Sequence, residues 1–225
     1  MRAAWYAEFG DANDIFQTGE QDAPSAGDGE VLVRVHATGI NPLDVKRRAG
    51  LRGPMMGDTM IPHFDGAGVI EAVGPGVDAG RVGERVWLFE GHMRRANGTA
   101  AEYIAIDATR ANLLPDSQSF AAGACLGIPA MTAHAAVFTD GPVDGQTILV
   151  TGAAGAVGNY AVQMARNGGA TVIGTVSSDE KAARAMEDGA AHTINYKTED
   201  VAARVKELTD GKGVDLIIDQ ISGYA

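Results

Sequence analysis

Between residues 29 and 41 the side chains follow a two-residue period. Val31, Val33 and Val35 fall on one side, and Leu32, Arg34 and His36 on the other, the pattern of a half-buried strand. Three later runs, "GAGVIEAVGPGV", "GERVWLF" and "AAEYIAI", are short, apolar and bounded by Gly or Pro. Their spacing predicts more strands and a small or partial barrel. A brief helix, "PLDVKRRAG", lies among them, with Asp44 and Arg48 placed for an i,i+4 ion pair. After "NLLPDSQSFAAGA" the texture changes. Residues 120–139 form a long, mostly apolar helical stretch interrupted at Gly127-Ile128-Pro129. Then come strand "QTILVTG", a helix to Gly168, strand "ATVIGTV", helix "DEKAARAMEDG", short strand "HTINY", helix "EDVAARVKELTDG" and strand "VDLIID". Strands alternating with helices predict right-handed crossovers and a parallel sheet. The expected class is therefore α/β, with a β-rich domain over 1–122 and a doubly wound domain over 123–225.

Composition sharpens this division. Glycine accounts for 30 of 225 residues and proline for 8, which fits the many tight turns of a β-rich portion. The net charge of −11 argues against a nucleic-acid or anionic-membrane partner. A single cysteine, Cys125, excludes an intrachain disulfide framework and fits a reducing, cytoplasmic setting. The amino terminus lacks an apolar signal core, and the longest apolar stretch is broken by Pro129, Thr132 and His134, so no membrane span is expected.

The chemistry concentrates in "LVTGAAGAVGNYAVQMA", a strand, a glycine-spaced turn and a helix. A dinucleotide fingerprint wants Gly-x-Gly-x-x-Gly, for a tight turn, close approach to pyrophosphate and close helix packing. Gly155 and Gly158 fit its second and third positions, and Ala153 stands at the first. The alternative is a helix start whose small residues only permit tight packing. The strand before and the helix after favour nucleotide binding. Extended short-chain dehydrogenases share this spacing, but they open the chain with it and use a Tyr-x-x-x-Lys pair. Here about 145 residues precede the turn, and no tyrosine has lysine four residues on.

Together "GINPLDVKRRAG", "IPHFDGAGVIEAVGPGV", "VGERVW", "GTAAEY", "GIPAMTAH", "TGAAGAVG", "GTVSSDEK" and "INYKTED", in this order, resemble the zinc-free quinone oxidoreductase (zeta-crystallin-like) branch of the medium-chain dehydrogenase/reductase superfamily. The resemblance implies a GroES-like β domain followed by a Rossmann domain, a homodimer in the complete chain, and NADPH as cofactor. It places Asn41 and Thr132 at the nicotinamide side of the cleft and Ala153, Ala154, Gly155, Ala156, Val157 and Gly158 along the pyrophosphate. Ser177, Lys181 and Tyr196 match 2′-phosphate contacts, and Gln220, where the family usually has a small residue, joins the cofactor-binding set. An NAD enzyme would carry Asp or Glu at the end of the second Rossmann strand, where this chain has Val176, Ser177 and Ser178. Two alternatives stay open there: Ser177 and Glu180 have capping-box spacing, and Lys181 could be a solvated helix residue. Asn41 could bond cofactor ribose or substrate oxygen, or only form the turn before Pro42. Thr132 could bond its own helix backbone.

By the same resemblance zinc is not expected. Asn41 stands where the zinc alcohol dehydrogenases have cysteine, Phe64 where they have a ligand histidine, and one cysteine cannot supply a structural site. His63, His92 and His134 read as packing or surface histidines. Without a Lewis acid the natural acceptors are quinones and α,β-unsaturated carbonyls, which delocalise incoming charge. Two other functions remain open: nucleotide binding without turnover, as in a redox sensor or crystallin, and RNA binding. The family's sheet continues through two more strands beyond "VDLIID", whereas this sequence ends at Ala225. A polypeptide of only these residues is expected to bare that strand's edge and to associate irregularly.

Overall fold

The computed structural model describes residues 1–219 and divides into two compact units, Met1–Ile128 and Pro129 onwards. The first contains β1 (Arg2–Trp5), α1 (Ala12–Ile15), β2 (Gln17–Glu20), β3 (Glu30–Gly39), α2 (Pro42–Arg48), β4 (Asp65–Val73), β5 (Arg85–Leu88), β6 (Tyr103–Asp107), β7 (Ala111–Leu113) and α3 (Phe120–Gly123). Five of the strands form one antiparallel sheet in the order β6-β3-β4-β5-β7, and β1 pairs with β2 separately. The alternation in β3 is realised: Val31 and Val33 are buried, with Ile70, Val86, Leu88, Ile104 and Ile106 around them, while Arg34 and His36 face out. Register shifts at Leu32/Val33 and Val35/Ala37 bend β3 against β4.

The expected Asp44–Arg48 pair does not form. Asp44 faces the interior, 5% exposed, and its carboxylate accepts the Asn41 backbone N–H. Arg48 instead donates to the Gly10 carbonyl.

Next along the chain are α4 (Ile128–Phe138), β8 (Thr147–Val150), α5 (Ala156–Asn167), β9 (Thr171–Val176), α6 (Asp179–Glu187), β10 (His192–Asn195), α7 (Val201–Leu208) and β11 (Leu216–Ile218). In the second unit the four strands are all parallel, in the order β10-β9-β8-β11. Successive side chains of β8 point to opposite faces, so both faces need cover. Ile148 and Val150 pack with Ala161, Val162 and Ala165 of α5, and Leu149 packs with Ile173, Ile194 and Val205 of α7. This is a doubly wound sheet. Its order reverses at β8, whose neighbours are β9 on one side and β11 on the other. The carboxyl ends of strands at such a switch point are where α/β proteins bind ligands.

Candidate nucleotide-binding site

The turn after β8 is pinned to the end of β9. Gly152 N–H donates to the Thr175 hydroxyl at 3.1 Å, Ala153 N–H to the Thr175 carbonyl at 3.0 Å, and Gly155 N–H to the Gly152 carbonyl at 2.8 Å. Gly152, with φ +61°, makes the sharp bend, one residue ahead of the position the fingerprint assigns to it. Ala153 is fully buried with its Cβ over Gly174, where an added Cβ would stand 2.7 Å away. A Cβ on Gly158 would overlap the Gly152 carbonyl oxygen, so glycine there lets α5 close onto the turn. Gly155 is the N-cap of α5 and offers no side-chain cap. The first-turn amides, those of Ala156, Val157 and Gly158, have no acceptor within a helix, and they sit at the positive end of its dipole. Such a helix end favours an anion.

Beside it, Gly152, Ala154, Gly155, Thr175, Val176, Ser177, Lys181 and Tyr196 line a cavity of about 150 Å3. Lys181 Nζ donates to Ser177 Oγ at 3.0 Å. Tyr196, just past β10, is tied by its backbone N–H to the Val176 carbonyl at 3.1 Å and keeps its ring half exposed. Five residues singled out from the sequence, Ala154, Gly155, Ser177, Lys181 and Tyr196, therefore meet in one cavity. The capping role suggested for Ser177 belongs to its neighbour: Ser178 is the N-cap of α6 and accepts the Lys181 N–H. The backbone is still extended at Ser178 (φ −165°, ψ 163°), so the helix starts one residue later than the Ser177–Glu180 spacing suggests. Ser177 is left facing the cavity.

Sequence reasoning passed over Thr175, which holds the turn, and Gly152, which shapes it. Their signal was present: the "TG" closing β8, and a hydroxyl residue as the penultimate residue of β9. It also passed over Arg184, one turn beyond Lys181, which shares a neighbouring concavity of about 450 Å3 with Ala154 and Lys181. Thr132 is exposed on α4, and it is Thr139 whose hydroxyl bonds back to its own helix, at Ala135. Gln220 lies outside the described residues.

In the first unit, Asn41 is the N-cap of α2, 8% exposed, and its Nδ2 donates to Asp65 Oδ2 at 2.8 Å. Burial raises both carboxylates: Asp44 to about 6, against the pull of N–H donors from Asn41 and Phe64, and Asp65 with it. Phe64 is 1% exposed, edge-on to His92 with ring centroids 5.4 Å apart, and Arg47 stands 5.8 Å from its ring. His92 is equally buried, and burial, with the charges of Arg47, His63 and Arg95, pushes it down to about 3. An apolar ring thus fills the place to which the resemblance assigns a ligand histidine in the zinc enzymes. Among the described residues no three His, Cys, Asp or Glu side chains converge to hold a metal ion. No helix among them is long and apolar enough to cross a membrane.

The comparisons agree with this geometry. Residues 27–116 match the alcohol dehydrogenase GroES-like domain, and residues 156–224 match the family described as zinc-binding dehydrogenase. A quinone oxidoreductase of Rattus norvegicus is 34% identical over 223 residues, which are 99% of this chain and 67% of the relative. A 2-haloacrylate reductase from a Burkholderia species is 37% identical over 228 residues, 98% of this chain and 66% of the relative. The structure of Escherichia coli quinone oxidoreductase complexed with NADPH superposes with a TM-score of 0.84 at 30% identity, covering 98% of this chain and 66% of that one. The chain thus spans about two thirds of the length of the relatives it matches. A GroES-like sheet, a parallel sheet with a dinucleotide turn at its switch point, and alignments at 34% and 37% identity that cover nearly the whole chain have one reading: the chain belongs to the medium-chain dehydrogenase/reductase superfamily, among the quinone oxidoreductases.

Proposed function

We propose that this chain binds NADPH and passes its hydride to a quinone or another α,β-unsaturated carbonyl, without a zinc ion. The observation that carries the reading is the cavity at the end of β9. Two hydroxyls and an ammonium, from Ser177, Tyr196 and Lys181, line it. The strand ends on Val176 rather than on a carboxylate, which would repel a 2′-phosphate. The NADPH complex of the Escherichia coli relative supports the same cofactor.

The residues divide the work. The open amides of Ala156, Val157 and Gly158 hold the pyrophosphate, with Ala153, Ala154 and Gly155 giving backbone access. Lys181, Ser177 and Tyr196 hold the 2′-phosphate. Asn41 and Thr132 serve the nicotinamide end, by resemblance, and Gln220 belongs to the cofactor set on the same ground. The bound nicotinamide supplies hydride chemistry; the protein supplies orientation and excludes water. Phe64 and Asn41, standing where zinc ligands would be, leave no donor set to polarise a simple ketone. Conjugated acceptors spread the arriving negative charge and then take a proton from water. The 2-haloacrylate reductase, named for a conjugated acid, fits this acceptor class. A cytoplasmic homodimer completes the reading.

The test is oxidation of NADPH and of NADH by a 1,4-benzoquinone and by a cyclic enone, with metal analysis of the protein used. We expect turnover with NADPH well above NADH, and no stoichiometric zinc. Preference for NADH, or one zinc per chain with loss of activity on its removal, would overturn the proposal.

A further inference from the structure

Lys181 brings one positive charge to the cavity at the end of β9, and the hydroxyls of Ser177 and Tyr196 bring none. A phosphate monoester carries a charge of about −1.5 to −2 near neutral pH, so Lys181 alone leaves it under-neutralised. A second cation borders the same ground. The cavity of about 150 Å3 and the concavity of about 450 Å3 beside it share Ala154 and Lys181, and Arg184 lines the larger. Arg184 stands three residues after Lys181 on α6, so the two are neighbours on one face of the helix. Side chains on a helix lean towards its amino end, which carries Arg184 back towards Lys181 and the start of α6.

The guanidinium is also left open. Glu180, Glu187 and Asp188 all stand at helical pairing distance from it, yet among the described residues Arg184 forms no ion pair. Asp188 accepts Asn159 Nδ2 of α5 instead. Arg204 on α7, in similar company, pairs with both Glu199 and Glu207.

We propose that Arg184 is a second specificity residue for NADPH, and that the 2′-phosphate bridges the two concavities with Lys181 on one side and Arg184 on the other. This rests on the reading that the cavity at the end of β9 receives the 2′-phosphate. Two cations match a dianion, and the guanidinium fork adds paired N–H donors of the geometry phosphate oxygens accept. Glu180 and Glu187 line the larger concavity too. Without Arg184 their charges would outweigh that of Lys181 and repel the phosphate.

Equilibrium titrations with NADPH, NADH and adenosine 2′,5′-bisphosphate test this, the last probing the phosphate without the nicotinamide end. Arg184→Gln removes the charge and keeps a good helix former, and Arg184→Lys keeps the charge. We expect the Gln variant to bind NADPH and the bisphosphate about three- to tenfold more weakly, a modest factor because Arg184 is exposed. That deficit should shrink as salt is raised. The Lys variant should come within about threefold of wild type, because the charge is kept and only the fork is lost. NADH affinity and the melting temperature should not move in either variant. An equal loss of NADPH and NADH would put Arg184 against the adenine or the ribose, and unchanged NADPH affinity would leave it a solvated helix residue. Either result overturns the proposal. Wild-type protein that bound NADPH no better than NADH would instead remove the reading of the cavity itself, so the two failures are distinct.

Discussion

Lys181 carries the sharpest residue-scale consequence. Its ammonium is held 3.0 Å from Ser177 Oγ on the wall of the cavity, so Lys181→Ala removes the ammonium that the proposed function sets against the 2′-phosphate. The expected loss is about 1.5–3 kcal/mol, roughly ten- to a hundredfold in NADPH affinity, with NADH binding almost unchanged. Titration of both cofactors checks this; equal losses would mean the residue acts through α6. The types at this site were legible in the sequence because a carboxylate was missing where an NAD enzyme needs one. The division of labour was not. Ser177 and Ser178 are both competent caps, and the choice is made by how far β9 and the Tyr196–Val176 hydrogen bond extend the backbone. Likewise Asp44 and Arg48 had helical pairing distance, but the side of α2 that faces the interior is set by tertiary packing.

Elements built from continuous apolar runs were readable. "TILV" and "TVIGTV" must be buried on both faces, and between helices such runs become parallel strands. The β1–β2 pair escaped, because "QTGE" has no alternating apolar set and is defined by its partner "RAAW" alone. At this scale the turn and α5 act as one unit. Gly158→Ala forces a methyl into the Gly152 carbonyl and pushes the helix off the turn. We expect a lowered melting temperature, a cost of about 1–3 kcal/mol, and loss of both NADPH and NADH binding, since pyrophosphate is common to them. Selective loss of NADPH would contradict that geometry.

Across the whole first unit, two buried groups titrate in opposite senses. His92 stays neutral until about pH 3 in the fold but takes a proton near 6.5 when unfolded, so its contribution to stability falls as pH drops through that interval. Asp44 keeps its proton up to about pH 6 in the fold and loses it near 3.8 unfolded, so its contribution falls as pH rises. Asp65 leans the same way as Asp44, and His63 the same way as His92. Between pH 4 and 6 the slopes of His92 and Asp44, each about 1.4 kcal/mol per pH unit, offset one another. The wild-type protein should therefore show nearly constant stability to urea across that range. His92→Leu should gain about 2–3 kcal/mol on going from pH 6 to pH 4, and Asp44→Asn should lose about as much. Urea midpoints at pH 4, 5 and 6 measure this, and two flat profiles would refute the opposition.

The paired serines at the end of β9 have a consequence for how such a protein can change. One hydroxyl starts the helix and the other lines the cavity proposed for the cofactor, so on that reading folding and cofactor preference mutate independently. Ser177→Asp would put a carboxylate where ribose hydroxyls favour one, and would turn preference towards NADH. Ser178 would still begin α6, and the melting temperature should not move. A lineage can cross between the two nicotinamide pools at that position without passing through an unstable intermediate.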